Sequence, residues 1–109
     1  MPSTTPSRGN ILYGFVCGPL LTPVSVAANT SAEQSFTVPG LQLNDIVDVN
    51  LFGAVQTAGV GITNARVSAA NTLTLLFTNS TSGGVIPAAG TYAIVVTRPE
   101  NVPLPTSAV

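Results

Sequence analysis

Four carboxylates, three arginines and one cysteine are the side chains of this 109-residue chain best suited to acid–base, nucleophilic or metal chemistry. The chain has no His and no Lys. General acid–base catalysis works best with a group whose pKa lies near neutrality, and a nucleophilic Ser needs a neighbouring base. Asp45 and Asp48 are the one close pair of acids, and we expect them to face opposite sides of a strand. We therefore predict that the chain is not an enzyme and has no catalytic residues.

The chain also has few side chains that could bind a metal or a cofactor. A zinc site draws its ligands from Cys, His and carboxylates, and this chain has one Cys and no His. Asn44, Asp45 and Asp48 do not match the ligand spacing of a calcium loop. The glycine pairs at residues 59–61 and 83–84 lack the helix that follows a phosphate-binding loop. We expect no metal and no cofactor.

The charge composition restricts the possible partners. Charged residues make up 6% of the chain, the net charge is −1, and Arg8, Arg66 and Arg98 are far apart in sequence. Nucleic acids and anionic membranes are bound through clustered Lys and Arg, so we exclude both as direct ligands. No apolar stretch approaches the roughly 20 residues of a membrane-spanning helix.

Two further features bear on where the chain works. Cys17 lies in an apolar run, where a buried small hydrophobe is the favoured interpretation and an intermolecular disulfide is the alternative. The first residues lack the basic start and apolar core of a signal peptide. We expect the protein to be made and folded in the cytoplasm.

Period-two alternation, interrupted every 8 to 12 residues by Gly, Pro, Asn or Ser, predicts an all-β sandwich or barrel. Helical periodicity is not evident in any window. The predicted inner residues of the two strongest strands are Leu73, Leu75 and Phe77, and then Tyr92, Ile94 and Val96. The predicted strands cover residues 10–16, 24–26, 33–38, 45–51, 60–62 with 65–67, 72–78 and 91–97, with turns at 29–32 and at Pro39-Gly40.

The predicted last strand is apolar on both faces, because Ala93 and Val95 alternate with its inner residues. A strand that is apolar on both sides is usually buried on both sides, so Ala93 and Val95 are candidates for an inter-subunit surface. Arg66 is the one charge inside a core-like stretch. It either clamps a partner carboxylate or pairs within the chain with Glu33, Asp45 or Asp48, and the second interpretation is favoured.

The chain divides into an extended arm (1–9), a sandwich domain (10–97) and a second extended arm (98–109). The second arm is rich in Pro, which favours an extended polyproline-like chain. Such arms are disordered alone, or ordered by lying along a neighbour. Its candidate contact residues are Arg98, Pro99, Pro103 and Pro105.

Residues 26–41 and 44–47, with residues 64–73 and 92–99, resemble small virion proteins of tailed bacteriophages. Such virion proteins look like capsid decoration (cement) proteins or fibre-associated modules, with sandwich folds of jelly-roll or related type. The resemblance implies a jelly-roll-like sandwich. An immunoglobulin-like sandwich is the alternative, because the sequence does not determine the strand order. The resemblance also implies a location on the capsid surface of a virion, with the major capsid protein as partner. No catalytic residues are carried over from such a family.

The leading functional hypothesis is thus a decoration protein that binds the outer surface of a phage capsid as a homo-oligomer, with a homotrimer preferred and a homodimer possible. The alternative is a receptor- or glycan-binding module of a fibre, spike or adhesin. A glycan binder stacks sugars on exposed aromatic rings, whereas the aromatic residues other than Phe52 fall inside predicted strands.

Overall fold

The computed structural model describes residues 10–100 and 103–106, and their regular structure is β-strand throughout. The all-β sandwich predicted from the sequence is confirmed, because two antiparallel sheets pack against each other around one core. The strands in chain order are β1 (Ile11–Cys17), β2 (Leu20–Leu21), β3 (Thr30–Thr37), β4 (Ile46–Leu51), β5 (Val60–Ala69), β6 (Thr72–Asn79) and β7 (Gly90–Pro99).

The first sheet, called the β7 sheet here, has β7 at its centre. β4 pairs along one side of β7, and β1 and β2 pair along the other. Together β1 and β2 behave as one edge strand, because the register along β7 is the same before and after the break between them. Cys17 lies opposite Ile94, and Leu20 lies opposite Thr91.

The second sheet, called the β6 sheet, has the order β3-β6-β5. The sequence predicted a broken strand pair around Thr63 and Asn64, and this prediction is wrong: β5 is continuous over ten residues. The register shifts between Ile62 and Asn64. A bulge inserts an extra residue into a strand without ending its pairing, so the polar Thr-Asn step did not mark a turn.

The winding of the chain is jelly-roll-like. The first strand pairs with the last, and β3 pairs with the penultimate strand β6, as in a long hairpin wound into a Greek key. A full jelly roll has eight strands, so this sandwich is a shortened form. In the immunoglobulin-like alternative the first strand lies in the sheet of its successor, whereas β1 here pairs with β7 and not with β3.

The core lies between the two sheets and contains the predicted inner residues. The six predicted from β6 and β7 are all fully or almost fully buried: Leu73, Leu75, Phe77, Tyr92, Ile94 and Val96. Val26, Val38 and Leu41 join them from the segments between strands.

Asn and Gly residues form the turns, as their tolerance of positive φ allows. Asn29, Asn44 and Asn71 have φ values of 49°, 77° and 59°, and Gly40 follows Pro39 with φ 100°. The turn predicted at 29–32 is shorter than expected, because β3 already begins at Thr30.

Candidate functional site: the outer face of the β7 sheet

Residue pairing defines an outer face on the β7 sheet. Alternation along each strand directs every second side chain away from the core, and cross-strand register aligns these residues in rows. Four consecutive rows run from the edge strand formed by β1 and β2, through β7, to β4 or to Phe52, whose backbone N–H donates to the Thr91 carbonyl at 2.8 Å. The rows are Leu20–Thr91–Phe52, Gly18–Ala93–Asn50, Val16–Val95–Asp48 and Gly14–Thr97–Ile46. Gly18 lies in the break between β1 and β2, and the register shared by both strands places it opposite Ala93.

Large apolar side chains are exposed on this face. The exposed fraction is 79% for Leu20, 67% for Val16, 66% for Phe52, 50% for Ile46 and 45% for Val95. Together they present on the order of 400 Å² of apolar surface. The largest apolar patch of a typical monomer is about 300–600 Å² and is often functional, so this face is a candidate binding surface.

The sequence-predicted residues Ala93 and Val95 lie at the centre of this face, on the strand whose other side carries Tyr92, Ile94 and Val96 in the core. Ala93 is half-buried and Val95 is exposed within the monomer. Any further burial of Val95 therefore has to come from outside the described residues.

Charge is scarce on the outer face. Among the described residues of the four rows, Asp48 is the one that carries a charge, and it lies next to Asn50 in the register of β4. Interface centres are depleted of charged residues, so this composition is typical of a surface that becomes buried.

Arg98 does not belong to an extended arm, and here the sequence interpretation is corrected. β7 continues through Arg98 to Pro99, two residues beyond its predicted end. Arg98 is buried on the inner face, where Nε donates to Asp45 Oδ1 at 2.7 Å and Nη2 donates to Asp45 Oδ2 at 2.8 Å. The guanidinium also donates to the Gly40 carbonyl and to the Tyr13 hydroxyl. Its hydrogen-bonding capacity is thus directed within the chain.

Asp45, the partner of Arg98, lies between the turn at Asn44 and the start of β4. Its side chain is almost fully buried, and the Gln42 backbone N–H donates to Oδ2 at 2.9 Å. The hydrogen bond from Arg98 holds the pKa of Asp45 below its usual value, against the opposing effect of burial. Arg98 also lies over the Tyr13 ring, 4.9 Å from its centroid. This cluster, the Arg98 clamp, joins β1, β7 and the turn before β4.

Arg66 lies on the other sheet and is paired within the chain, the favoured of its two interpretations. Nε and Nη2 donate to the two Glu33 carboxylate oxygens at 2.8 and 2.9 Å. Both side chains are substantially exposed. The hydrogen bond from Arg66 lowers the pKa of Glu33.

The remaining predicted contact residues are prolines. Pro99 is the last residue of β7 and lies opposite Ile11. Pro103 is exposed and Pro105 is half-buried. The first predicted arm, residues 1–9, and residues 101–102 and 107–109 of the second lie outside the described residues.

A second apolar surface, which the sequence did not indicate, lies beyond the Leu20–Thr91–Phe52 row. Val55 and Ile86 are exposed in neighbouring loops, which the Thr57 hydroxyl joins by donating to the Ile86 carbonyl at 2.8 Å. Gln56 fixes the same loops by accepting from the Ala88 N–H and donating to the Tyr92 hydroxyl. We call this surface, formed by Val55 and Ile86, the loop end.

Asn79 has a structural role that the sequence pattern did not indicate. It is the last residue of β6 and is fully buried. Its amide donates to the carbonyls of Val26, Ala27 and Gly83, and its carbonyl accepts from the N–H and hydroxyl of Thr81. These bonds fasten the loop after β6 to the sandwich.

The chemistry available to the described residues is limited. Cys17 is a half-buried thiol on the inner side of β1, and burial raises its pKa, so it is a poor nucleophile. Within residues 10–100 and 103–106 no three Cys, Asp or Glu side chains gather as metal ligands. The same residues include no helix that could span a membrane.

No protein-family model, curated protein or solved structure matches this chain. A proposal for the function of this chain therefore has to be argued from its own fold and exposed surfaces.

Proposed function

We propose that this protein is a structural module that acts by burying apolar surface against other proteins, and that it decorates the capsid of a tailed bacteriophage. The observation that carries the proposal is the outer face of the β7 sheet, where large apolar side chains outnumber the single charge of Asp48. The resemblance of residues 26–41 and 64–73 to small virion proteins supplies the setting. In that setting the protein lies on the outer surface of the virion and binds the major capsid protein as a homo-oligomer.

Two apolar surfaces suit such a role, because a cement protein has to contact its own copies and the shell. The outer face is broad and formed by paired strands, so it presents a preorganised surface that loses little entropy on binding. The loop end is smaller and is held by the hydrogen bonds of Gln56 and Thr57. We assign contact with the major capsid protein to the loop end.

The low charge also suits attachment to a shell. Attraction between exposed charges is screened by salt, whereas apolar contacts persist at high ionic strength. The Arg66–Glu33 pair, the most exposed ion pair of the described residues, lies on the opposite sheet.

Co-sedimentation with phage heads tests the proposal. The purified protein is mixed with heads from which decoration proteins have been stripped, and we expect saturable binding that persists at high salt. Val55→Asp should abolish binding, since it places a charge at the loop end. Thr37→Asp is the matched control, because Thr37 is an exposed residue at the end of β3. Absence of binding by the unaltered protein, or equal binding by the two variants, would contradict the proposal.

The alternative of a glycan-binding module depends on exposed aromatic rings. Phe52 is exposed, and Tyr13 is partly exposed with Arg98 over its ring. Binding to a glycan array that is lost in Phe52→Ala would favour this alternative over capsid decoration.

A further inference from the structure

We infer that the outer face of the β7 sheet binds the same face of a second copy of this chain, forming a two-fold dimer with antiparallel strands. The inference deepens the proposed function and rests on its claim that the outer face is an interface. It departs from the homotrimer preferred on the sequence, because the pattern of the face is complementary to itself under a two-fold rotation.

The edge strand shows the pattern most simply. Its outer residues alternate between large and absent side chains in the order Gly14, Val16, Gly18 and Leu20. When two such strands face each other in opposite directions, centred on Cys17, Val16 meets Gly18 of the second copy and Leu20 meets Gly14. Each projecting side chain then faces a glycine notch.

The same rotation matches the other two strands. The row of Cys17 contains Ile94 and Val49, so the axis passes at their level. Val95 then faces Ala93 of the second copy, a large side chain against a small one. Ile46 faces Phe52, which joins the two apolar ends of the face.

The one charge of the face is also accommodated. The rotation places Asp48 opposite Asn50 of the second copy and keeps the two Asp48 carboxylates apart. An amide can donate to a carboxylate, whereas an unpaired charge buried in an interface is costly. A parallel two-fold arrangement would instead place β1 over β4 of the second copy, so that each Asp48 carboxylate would lie against the apolar Val16.

The size of the face fits a dimer. A standard interface takes about 800 Å² from each partner, about two-thirds of it apolar in homodimers. The roughly 400 Å² presented by the five large apolar side chains, together with Ala93, the Thr methyl groups and the glycines, approaches that requirement. Aligned sheets pack about 10 Å apart and cross at about −30°. The rows of Val16 and Gly18, which lie nearest the two-fold axis, therefore stay in closest register with the second copy.

The dimer has a consequence for the shell. Both loop ends lie beyond the Leu20 row, and antiparallel packing places the two Leu20 rows at opposite ends of the dimer. A dimer therefore presents two copies of the loop end in opposite directions and can bridge two capsid subunits. Bivalent attachment raises the apparent affinity when both sites are within reach.

Sedimentation analysis of the full chain tests the dimer. We expect a dimer that Val16→Asp weakens by at least about 100-fold in Kd, since each dimer then buries two unpaired carboxylates. Thr37→Asp should leave the dimer intact. A monomeric protein, a trimer, or a dimer insensitive to Val16→Asp would overturn the inference. Pairing through strand edges, for example, would leave Val16 exposed.

A mixing experiment tests the register. Val16→Gly removes the projection and Gly18→Val fills the notch, so each variant alone should form a poor homodimer. A Cβ at Gly18 would lie 3.2 Å from the Thr91 Cγ2 methyl, a side chain that can rotate, and a thermal melt checks that the variant folds. Mixed together, the two variants should form heterodimers in native mass spectrometry, because the side chain added at position 18 of one variant fits the space left at position 16 of the other. Failure to prefer heterodimers would overturn the two-fold register.

Failure of this inference is distinguishable from failure of the proposed function. A monomer that still binds stripped heads contradicts the dimer and leaves capsid decoration in place. A dimer that binds no heads supports the dimer and contradicts capsid decoration.

Discussion

The two sheets of the sandwich distribute their polar groups in opposite ways. The β6 sheet carries hydroxyls and an ion pair on its outer face, where Ser35 and Ser68 both hydrogen bond to the Thr74 hydroxyl. The β7 sheet is apolar on its outer face and carries its ion pair, Arg98 with Asp45, on the inner side.

The inner faces of the two sheets serve the folding of the monomer, whereas the outer faces of the two sheets differ in composition. Both sheets contribute the same kind of apolar inner face, so the core does not explain the apolar outer face of the β7 sheet. A solvated outer face normally alternates with polar residues, as in the β6 sheet. The β7 sheet departs from this pattern, and the proposed burial against another protein would account for the departure.

The largest expected effect on monomer stability comes from breaking the Arg98 clamp. Asp45→Ala leaves the Arg98 guanidinium buried without its carboxylate, and loss of one partner of a buried pair costs about 3–5 kcal/mol. We expect the melting temperature to fall by more than about 10 °C, measured by circular dichroism at neutral pH. If Asp45→Ala and Glu33→Ala lowered the melting temperature equally, the buried and exposed ion pairs would be equivalent, which would contradict the contrast between the two sheets.

Acid should weaken the same clamp progressively. The pKa of Asp45 is lowered in the folded state from an ordinary value of 3.8, so its contribution to stability is fully present above that value. The contribution is lost as the pH falls through the lowered pKa. Urea unfolding between pH 6 and pH 2 should show a steep loss for the unaltered protein. Asp45→Asn should show a shallower loss, and parallel curves would contradict this account.

A smaller effect is expected on the hydroxyl face. Thr74→Val removes the hydroxyl that bridges Ser35 and Ser68 without changing the side-chain volume, and we expect a loss of about 1 kcal/mol. Thr37→Val is the matched control, because Thr37 is exposed on the same sheet and lies outside the proposed dimer interface. Chemical denaturation of both variants measures the difference, which should be close to zero for Thr37→Val.

The smallest effect is expected from the exposed ion pair. Exposed pairs contribute little to stability because solvent screens them, so Glu33→Gln should leave the unfolding midpoint within experimental error. Adding about 0.5 M salt, enough to screen exposed charges, should change the unaltered protein and this variant equally. A clear loss in Glu33→Gln would mean that the exposed pair stabilises the fold as the buried pair does.

Much of the fold was predictable because the strands depend on local pattern. The alternation Leu73, Leu75 and Phe77 matches the period of a strand with one buried face, and it located β6 within one residue at its C-terminal end. Pattern failed where a long-range partner decided the outcome. Arg98 looked like the start of a polar arm because Asp45, its partner, lies 53 residues earlier in the chain.

The candidate site was predictable in part for the same reason. Ala93 and Val95 were identified from their alternation with core residues, which is a local signal. The loop end was not identified, because Val55 and Ile86 lie in separate loops and isolated apolar residues in loops are common. The alternation of large and small side chains across the outer face is also not evident from the sequence, since its rows combine residues from three separate segments.

The sequence by itself determined the class of the fold, the scarcity of catalytic groups and the two-faced nature of β7, since all three follow from composition and period-two alternation. The tertiary structure decided which charges are buried and which surfaces are exposed. It brought Arg98 to Asp45 and aligned Gly18, Ala93 and Asn50 in one row beside Val16, Val95 and Asp48. The physical reason is that register between distant strands is fixed by cooperative packing of the core.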